Sequence, residues 1–473
     1  MLYILIIFVL LFAYLAWRKP IWALSFVVLA LPTYLLRFEI RNIPTTLLEI
    51  MILVLFVVWL IKTILEKQKI TFSKYKWWIL LLLVVATVSA FVTSVGAQNF
   101  EPLPWGIWKA YFIEPILFFL VFINTVKTKK EWNLVVGALW LSAFLVAIPA
   151  IIQKFTGWGI PNEFWRNEAT RRITSWYGFP NAVGLYLAPI GMFFAGLLMQ
   201  NKINVIEKFK QNGLVGIGRD LSPFRKNFWK TISILFLFVL IVLSLIFAGS
   251  EGALIGLVAG LIFLGLVYPY RLTRIATLIC LLSCFLAFLI VPNWREYASE
   301  KFTMSDRSGQ IRQQQWKETW TMLKEDHQIL GGGLANYQTA IKPYHAEGIW
   351  IKDKNDHDWI NKIRISEEFR IKNWQPTEIY LYPHNILLNF WSEIGILGAG
   401  IMLVLVLKLF LGYLRVKSQE NKRMYLILMS VFVVILVHGL VDVPYFKNDL
   451  SVFWWMLFGL SVVLIKRKEI LIK

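Results

Sequence analysis

The chain has 473 residues, of which 58% are apolar and 16% charged, against about 45–50% and about 25% in an ordinary soluble domain. That balance excludes a soluble enzyme. Forty-nine basic against 29 acidic residues leave a net charge of +20, which in so apolar a chain points to loops beside anionic lipid rather than to nucleic acid.

A helical crossing needs about 20 mostly apolar residues. Hydropathy predicts an all-α polytopic transmembrane bundle of about thirteen crossings, near 1–17, 21–36, 45–65, 77–94, 106–126, 132–153, 181–199, 230–248, 252–269, 272–291, 383–413, 425–441 and 449–465. The first run has no basic residue before it and no small-residue cleavage site, and Arg18 and Lys19 follow it. It is expected to remain as the first helix, with its N-terminus outside. In that orientation the short inside segments hold 27 basic residues and the short outside loops seven, namely Arg37, Arg41, Lys154, Arg166, Arg171, Arg172 and Lys447. Such an excess follows the positive-inside rule.

Glu49 and Glu114 fall inside apolar runs, and Lys109, one turn before Glu114, is expected to pair with it. The only two cysteines, Cys280 and Cys284, stand four apart in an apolar run. They are expected as buried thiols with poor geometry for bridging.

Two excursions leave the bundle on opposite sides. Residues 200–229, inside and basic, interleave Ile203, Val205, Ile206 and Phe209 with Lys202, Lys208 and Lys210, which suits either a short helix on the lipid surface or a solvated linker. Residues 292–382 lie outside and carry His327, His345 and His357, with His384 following, so four of the five histidines belong to this region. From Asp306 to His327 the spacing is helical, with Ile311, Trp316, Trp320 and Leu323 as the apolar stripe and Arg312 opposite it. Gly331, Gly332 and Gly333 are expected to stop that helix. Asp353, Asp356, His357 and Asp358 could hold a divalent cation through oxygen ligands, and read equally as a solvated loop tip.

No GxxxxGK, HExxH or CxxC occurs, so nucleotide-driven transport and zinc chemistry lack their usual marks. Polar residues gather instead at the outside ends of the runs. His384, between Pro383 and Asn385 at the entry to a helix, could take a proton near neutral pH, or serve only as a helix-entry residue. Arg171 and Arg172 precede a Gly178-Phe179-Pro180-Asn181 turn, and Arg307 and Arg312 lie in the large excursion. A guanidinium grips phosphate oxygens in a fork that lysine cannot copy, although each arginine alone reads equally as a solvated residue. Glu251 sits at a Ser250-Glu251-Gly252 hairpin tip that could reach the same cavity, and Asp442, before Pro444, could bond an arginine or histidine there.

The order of these features resembles the O-antigen ligase and polymerase superfamily. The resemblance covers roughly residues 170–460 and rests on Gly-Phe-Pro-Asn at 178–181, a Ser-x-Gly hairpin at 250–252, and Arg312 with Trp316 in a large outer loop. Gly331 to Gly333 with Asn336 and Tyr337, then His384-Asn385 with Leu388, Glu393, Gly395 and Gly398, complete it. It implies a metal-independent glycosyltransferase of the GT-C kind, without a cofactor, that moves a glycan from undecaprenyl pyrophosphate to an acceptor sugar on the outer face of the cytoplasmic membrane. His384 would be the catalytic histidine and Arg312 the loop arginine that engages the pyrophosphate; Arg171, Arg172, Asn181, Glu251, Arg307 and Asp442 are the accompanying substrate-binding candidates. One position departs from the pattern: the family commonly has Ser-Arg-Gly at the hairpin, where this chain has Glu251.

The expected partners are therefore a polyprenyl-pyrophosphate-linked glycan donor, a saccharide acceptor and membrane lipid, with no nucleic acid. The chain divides on this reading into N-terminal transmembrane helices, 1–170, and a ligase-like region, 171–473. The rival classes are a transporter or flippase of lipid-linked oligosaccharide and a non-catalytic protein that binds it.

Overall fold

The computed structural model describes residues 2–40, 43–96, 103–212, 222–353 and 356–466. Helices dominate, in the order α1 (Leu2–Arg18), α2 (Pro20–Leu29), α3 (Leu47–Leu65), α4 (Lys76–Gly96), α5 (Leu103–Trp108), α6 (Glu114–Thr125), α7 (Lys129–Thr156), α8 (Glu163–Arg166), α9 (Pro180–Asn212) and α10 (Ser222–Ala248). There follow α11 (Glu251–Val267), α12 (Arg271–Ile290), α13 (Pro292–Phe302), α14 (Arg307–Glu325), α15 (Tyr337–Ile341), α16 (Trp359–Ile365), α17 (Glu367–Asn373), α18 (Ile386–Gly412), α19 (Gln419–His438) and α20 (Asn448–Lys466). Two small antiparallel ribbons join them, Arg37–Ile40 with Ile43–Thr46 and Gly348–Trp350 with Trp374–Pro376.

The protein is an all-α membrane protein. Nine helices among the described residues are long and apolar enough to cross a bilayer, and 3–18, 20–29 and 251–267 form shorter apolar helices. Each run read from hydropathy contains helix among the described residues, but the run at 21–36 leaves the α-helix after Leu29, and others differ in detail from the expectation. The run at 106–126 contains a π turn at Lys109–Ile113 between α5 and α6. Lys109 then pairs with Glu49 at 2.5 Å, not with Glu114, whose carboxylate accepts from Asn448 Nδ2 at 2.8 Å. The widened turn re-aims the side chains that a regular helix would have stacked. Residues 200–212 continue α9 as helix, while residues 213–221 of that excursion lie outside the described residues.

Packing follows small residues. Gly252, Gly256 and Gly260 place one face of α11 against α19, where a methyl on Gly256 would stand 2.9 Å from the Val434 carbonyl. Such close approach is how apolar helices associate without a hydrophobic drive between them. α20 packs on α6 and is buried almost throughout. α12 packs against α11 and α13, and its other face is open. Cys280 and Cys284 are free, as expected, but exposed rather than buried, because they lie on that open face.

α18 is broken. Ile394 (φ −130°) and Gly395 (φ +71°, ψ 174°) interrupt it in a conformation open essentially only to glycine. The break frees backbone groups that apolar surroundings cannot satisfy, and the segment 329–336 supplies the partners. Ile396 N–H donates to Ile329 O at 3.1 Å, and Gly333 N–H to Ser392 O at 3.2 Å. Ala335 N–H donates to the Glu393 carboxylate at 2.6 Å, and Ser89 Oγ joins Glu393 O to Leu334 N–H at 2.6 and 2.9 Å. Gly331 passes so close that a methyl there would stand 2.3 Å from Trp391 O. The three glycines therefore do not stop α14, which ends earlier, at Glu325; they let the chain wrap the break.

Candidate active site

His384 stands immediately before α18, held by two anchors. Asn385 caps α18 by accepting from Leu387 and Leu388 N–H at 3.0 and 3.1 Å, and its Nδ2 donates to Leu440 O at 3.1 Å. Ile386 N–H donates to Gly439 O at 2.7 Å. These bonds tie the His384 turn to the 439–447 connection between α19 and α20. The backbone of His384 itself is left-handed, φ +47°, a conformation that costs a non-glycine residue energy and persists where surroundings enforce it.

The imidazole is flanked edge-on by Tyr380 and Tyr382, at 5.2 and 5.6 Å between ring centres. Its Nδ1 is buried and lies 3.8 Å from Asp442 Oδ1. That separation is too long for a hydrogen bond and short enough for strong charge interaction. Burial pushes the Asp442 carboxyl up, but His384, His438 and the Val443 N–H together outweigh it and hold it at about 2. A carboxylate beside Nδ1 favours the tautomer with its proton there, leaving Nε2 to act as the base.

α14 delivers the arginine. Trp316 Nε1 donates to Pro383 O at 3.0 Å, so the face of α14 that carries Trp316 meets the His384 turn, and Arg312, four residues earlier, shares that face. The expected stripe is corrected accordingly: Arg312 is not opposite Trp316, Trp320 is exposed, and the buried face is Gln315, Glu318, Thr319, Met322 and Leu323. It is polar because it faces the rest of the excursion; Glu318 accepts from Ala346 N–H at 3.0 Å and pairs with His345 at 3.2 Å. Arg312 Nη1 donates to Ser308 Oγ at 2.8 Å.

The pair Arg171 and Arg172 divides. Arg172 lies over the end of α10, with Nε 2.8 Å from Ala248 O and Nη2 3.2 Å from Gly249 O and 3.3 Å from Asn181 Oδ1. It thus stands against the Ser250-Glu251-Gly252 hairpin, where burial and Arg312 lower its pKa while Glu251 raises it. Arg171 instead binds the carbonyls of Arg166, Lys154 and Phe155. Glu251 is taken by α13: its carboxylate meets Lys301 Nζ at 2.8 Å and Tyr297 OH at 3.1 Å. Arg307 bonds to Gln375 and is exposed. At the acidic loop tip, Asp356 bonds Lys362 Nζ at 2.8 and 2.9 Å.

Two residues of this region were not among the site candidates read from the sequence. His438, the fifth histidine, is buried at the end of α19 against Gly252 and beside Asp442. Lys447 closes the same connection with its ammonium 4.0 Å from the Phe179 ring centre. Their spacing from Asp442 was the available signal. A cleft of about 860 Å³ is lined by Ser89, Thr93, His327 and Asn336 among others, and by none of His384, Asp442, Arg172 or Arg312.

No curated protein matches the chain. Residues 236–403, from the middle of α10 to the middle of α18, match the O-antigen ligase family model, and that stretch contains Glu251, Arg312 and His384. Over that stretch, about a third of its length, the chain is similar to the O-antigen ligase family.

Proposed function

We propose that the chain is a glycosyltransferase of the cytoplasmic membrane that moves a glycan from undecaprenyl pyrophosphate to an acceptor sugar at the outer face, as a ligase or polymerase of cell-surface polysaccharide. The observation that carries this reading is the His384 turn: a left-handed histidine with Asp442 at 3.8 Å from Nδ1 and the Arg312 face of α14 docked on it. The acceptor hydroxyl would attack the anomeric carbon as Nε2 of His384 takes its proton. The bond from that carbon to the pyrophosphate oxygen breaks, and its electron pair leaves with the pyrophosphate, stabilised by Arg312 and Arg172. Asn181 orients Arg172 in this scheme. Arg171, Arg307 and Glu251 hold the framework around it, and 171–473 acts as the ligase-like region packed on 1–170. No metal is assigned to the reaction.

The purified protein should convert a labelled undecaprenyl-pyrophosphate oligosaccharide into a longer chain or a conjugate; absence of any transfer with saccharide acceptors would overturn the reading. Sidedness in this reading rests on the 27 to 7 distribution of basic residues. In a background where Cys280 and Cys284 are replaced by alanine, a cysteine at Lys352 should react with an impermeant thiol reagent outside intact cells and one at Lys417 should not. The reverse pattern would place the chemistry on the other side.

A further inference from the structure

Lys447 is the residue before α20, at the end of the connection that carries Asp442. Its ammonium rests on the face of Phe179. Among the described residues no carboxylate forms an ion pair with it. The two acids whose charge it feels are otherwise engaged: Asp442 faces His384, and Asp449 accepts from Tyr177 OH at 3.2 Å. Burial pulls the amine down to about 8 against the attraction of Asp449 and Asp442. A cation kept in such surroundings without a counter-ion is costly unless an anion reaches it.

The place of that cation says which anion. Phe179 belongs to the Gly178-Phe179-Pro180-Asn181 turn, and Asn181 of the same turn accepts from Arg172. One four-residue turn therefore positions two cations, Lys447 through the ring and Arg172 through the amide. On the far side of Lys447 the connection leads back through Asp442 to His384. Meanwhile the charge at the hairpin tip is acidic, and Lys301 is consumed in pairing with it. A group carrying two phosphates needs more than one converging donor, and among the described residues Arg172, Arg312 and Lys447 are cations of this region that form no ion pair with a carboxylate.

We propose that Lys447, braced on Phe179, is a substrate-binding residue for the diphosphate of the polyprenyl donor, holding phosphate oxygens as the glycosyl bond breaks. The assignment rests on the function proposed above. Lysine suits the role as a point charge that follows a moving phosphate, whereas the arginines fix its orientation.

The test uses the full chain in detergent, with undecaprenyl pyrophosphate and undecaprenyl monophosphate as probes in a competition assay against labelled donor. Lys447→Met is expected to weaken pyrophosphate binding about tenfold or more, raise KM for the donor, and reduce the preference for pyrophosphate over monophosphate, with an unchanged thermal midpoint. Lys447→Arg should recover most of the binding. Wild-type protein that binds and a Lys447→Met variant that binds equally well would overturn the assignment of Lys447 alone. So would a loss shared by the Met and Arg variants with a lowered midpoint, since that marks a structural role. Wild-type protein that binds neither probe would overturn the proposed function as well. Should Lys447→Met fail to purify, Phe179→Leu removes the brace and keeps the charge; binding unchanged in that variant counts against the proposal, and a few-fold loss supports it.

Discussion

α20 and the excursion of residues 292–382 are stabilised in contrasting ways. α20 buries nearly every side chain, and its polar first turn is satisfied: Asn448 reaches Ala110 O at 2.6 Å and Glu114 at 2.8 Å, and Asp449 meets Tyr177. The excursion has only a small apolar cluster of its own, Met322, Leu323, Tyr337, Ala340 and Ile341. Polar pairs such as Glu318 with His345 and Gln310 with Lys352 hold the remainder. The candidate site lies on the seam. Its base and carboxylate come from the packed bundle, which fixes them, and Arg312 comes from a segment held on the bundle by a small contact, Trp320 and the apolar cluster against Trp391 and Leu388 and Trp316 bonded to Pro383 O. A rigid base beside an adjustable cation suits a substrate that must enter bearing a bulky glycan.

Removing the base tests the rigid side hardest. His384→Ala should lower transfer by about 10²–10⁴-fold without moving the thermal midpoint, since the ring adds little to the apolar packing; near-normal turnover would sink its role as base. Asp442→Asn belongs with it and should cost activity at every pH. Because the Asp442 carboxyl is held down to about 2, the stability it lends is present above the ordinary carboxylate range and is lost only as pH falls through about 2. An activity loss between pH 5 and 7 must then come from another group.

Arg312→Lys probes the adjustable side. Loss of the fork should reduce transfer by about 10², whereas Arg171→Lys, whose guanidinium serves backbone carbonyls of its own neighbourhood, should leave turnover close to normal. Equal effects at the two positions would erase the distinction drawn between them. The join between the two regions comes next in size. Gly395→Ala forces a side chain into φ +71° and 2.3 Å from Ile329 O, so a cost of about 1–3 kcal/mol from strain alone is expected, read as a lower thermal midpoint; an unchanged midpoint would mean that the clamp on α18 is not structural. The smallest effect is expected at the rim, where Glu251→Gln weakens a half-exposed pair with Lys301 worth about 0–1 kcal/mol. A large loss of activity there would show Glu251 acting on substrate.

The membrane class and the helical runs were legible in the sequence, because the length and apolarity of a crossing are set by the bilayer and read residue by residue. His384 and Asp442 were legible as polar residues at run ends and Arg312 as an arginine of the large excursion, and the family order singled out His384 and Arg312. The break in α18, the wrap of Gly331 to Gly333 around it, the division of Arg171 from Arg172, the burial of His438 beside Asp442 and the seat of Lys447 on Phe179 were decided only by the tertiary structure. Each depends on which distant backbone comes within bonding reach: Ile329 to Ile396, Ala248 to Arg172, Phe179 to Lys447. Local periodicity states that a residue is on a helix or at its end. Which partner a buried charge or an orphan carbonyl finds is settled when helices far apart in the chain pack together.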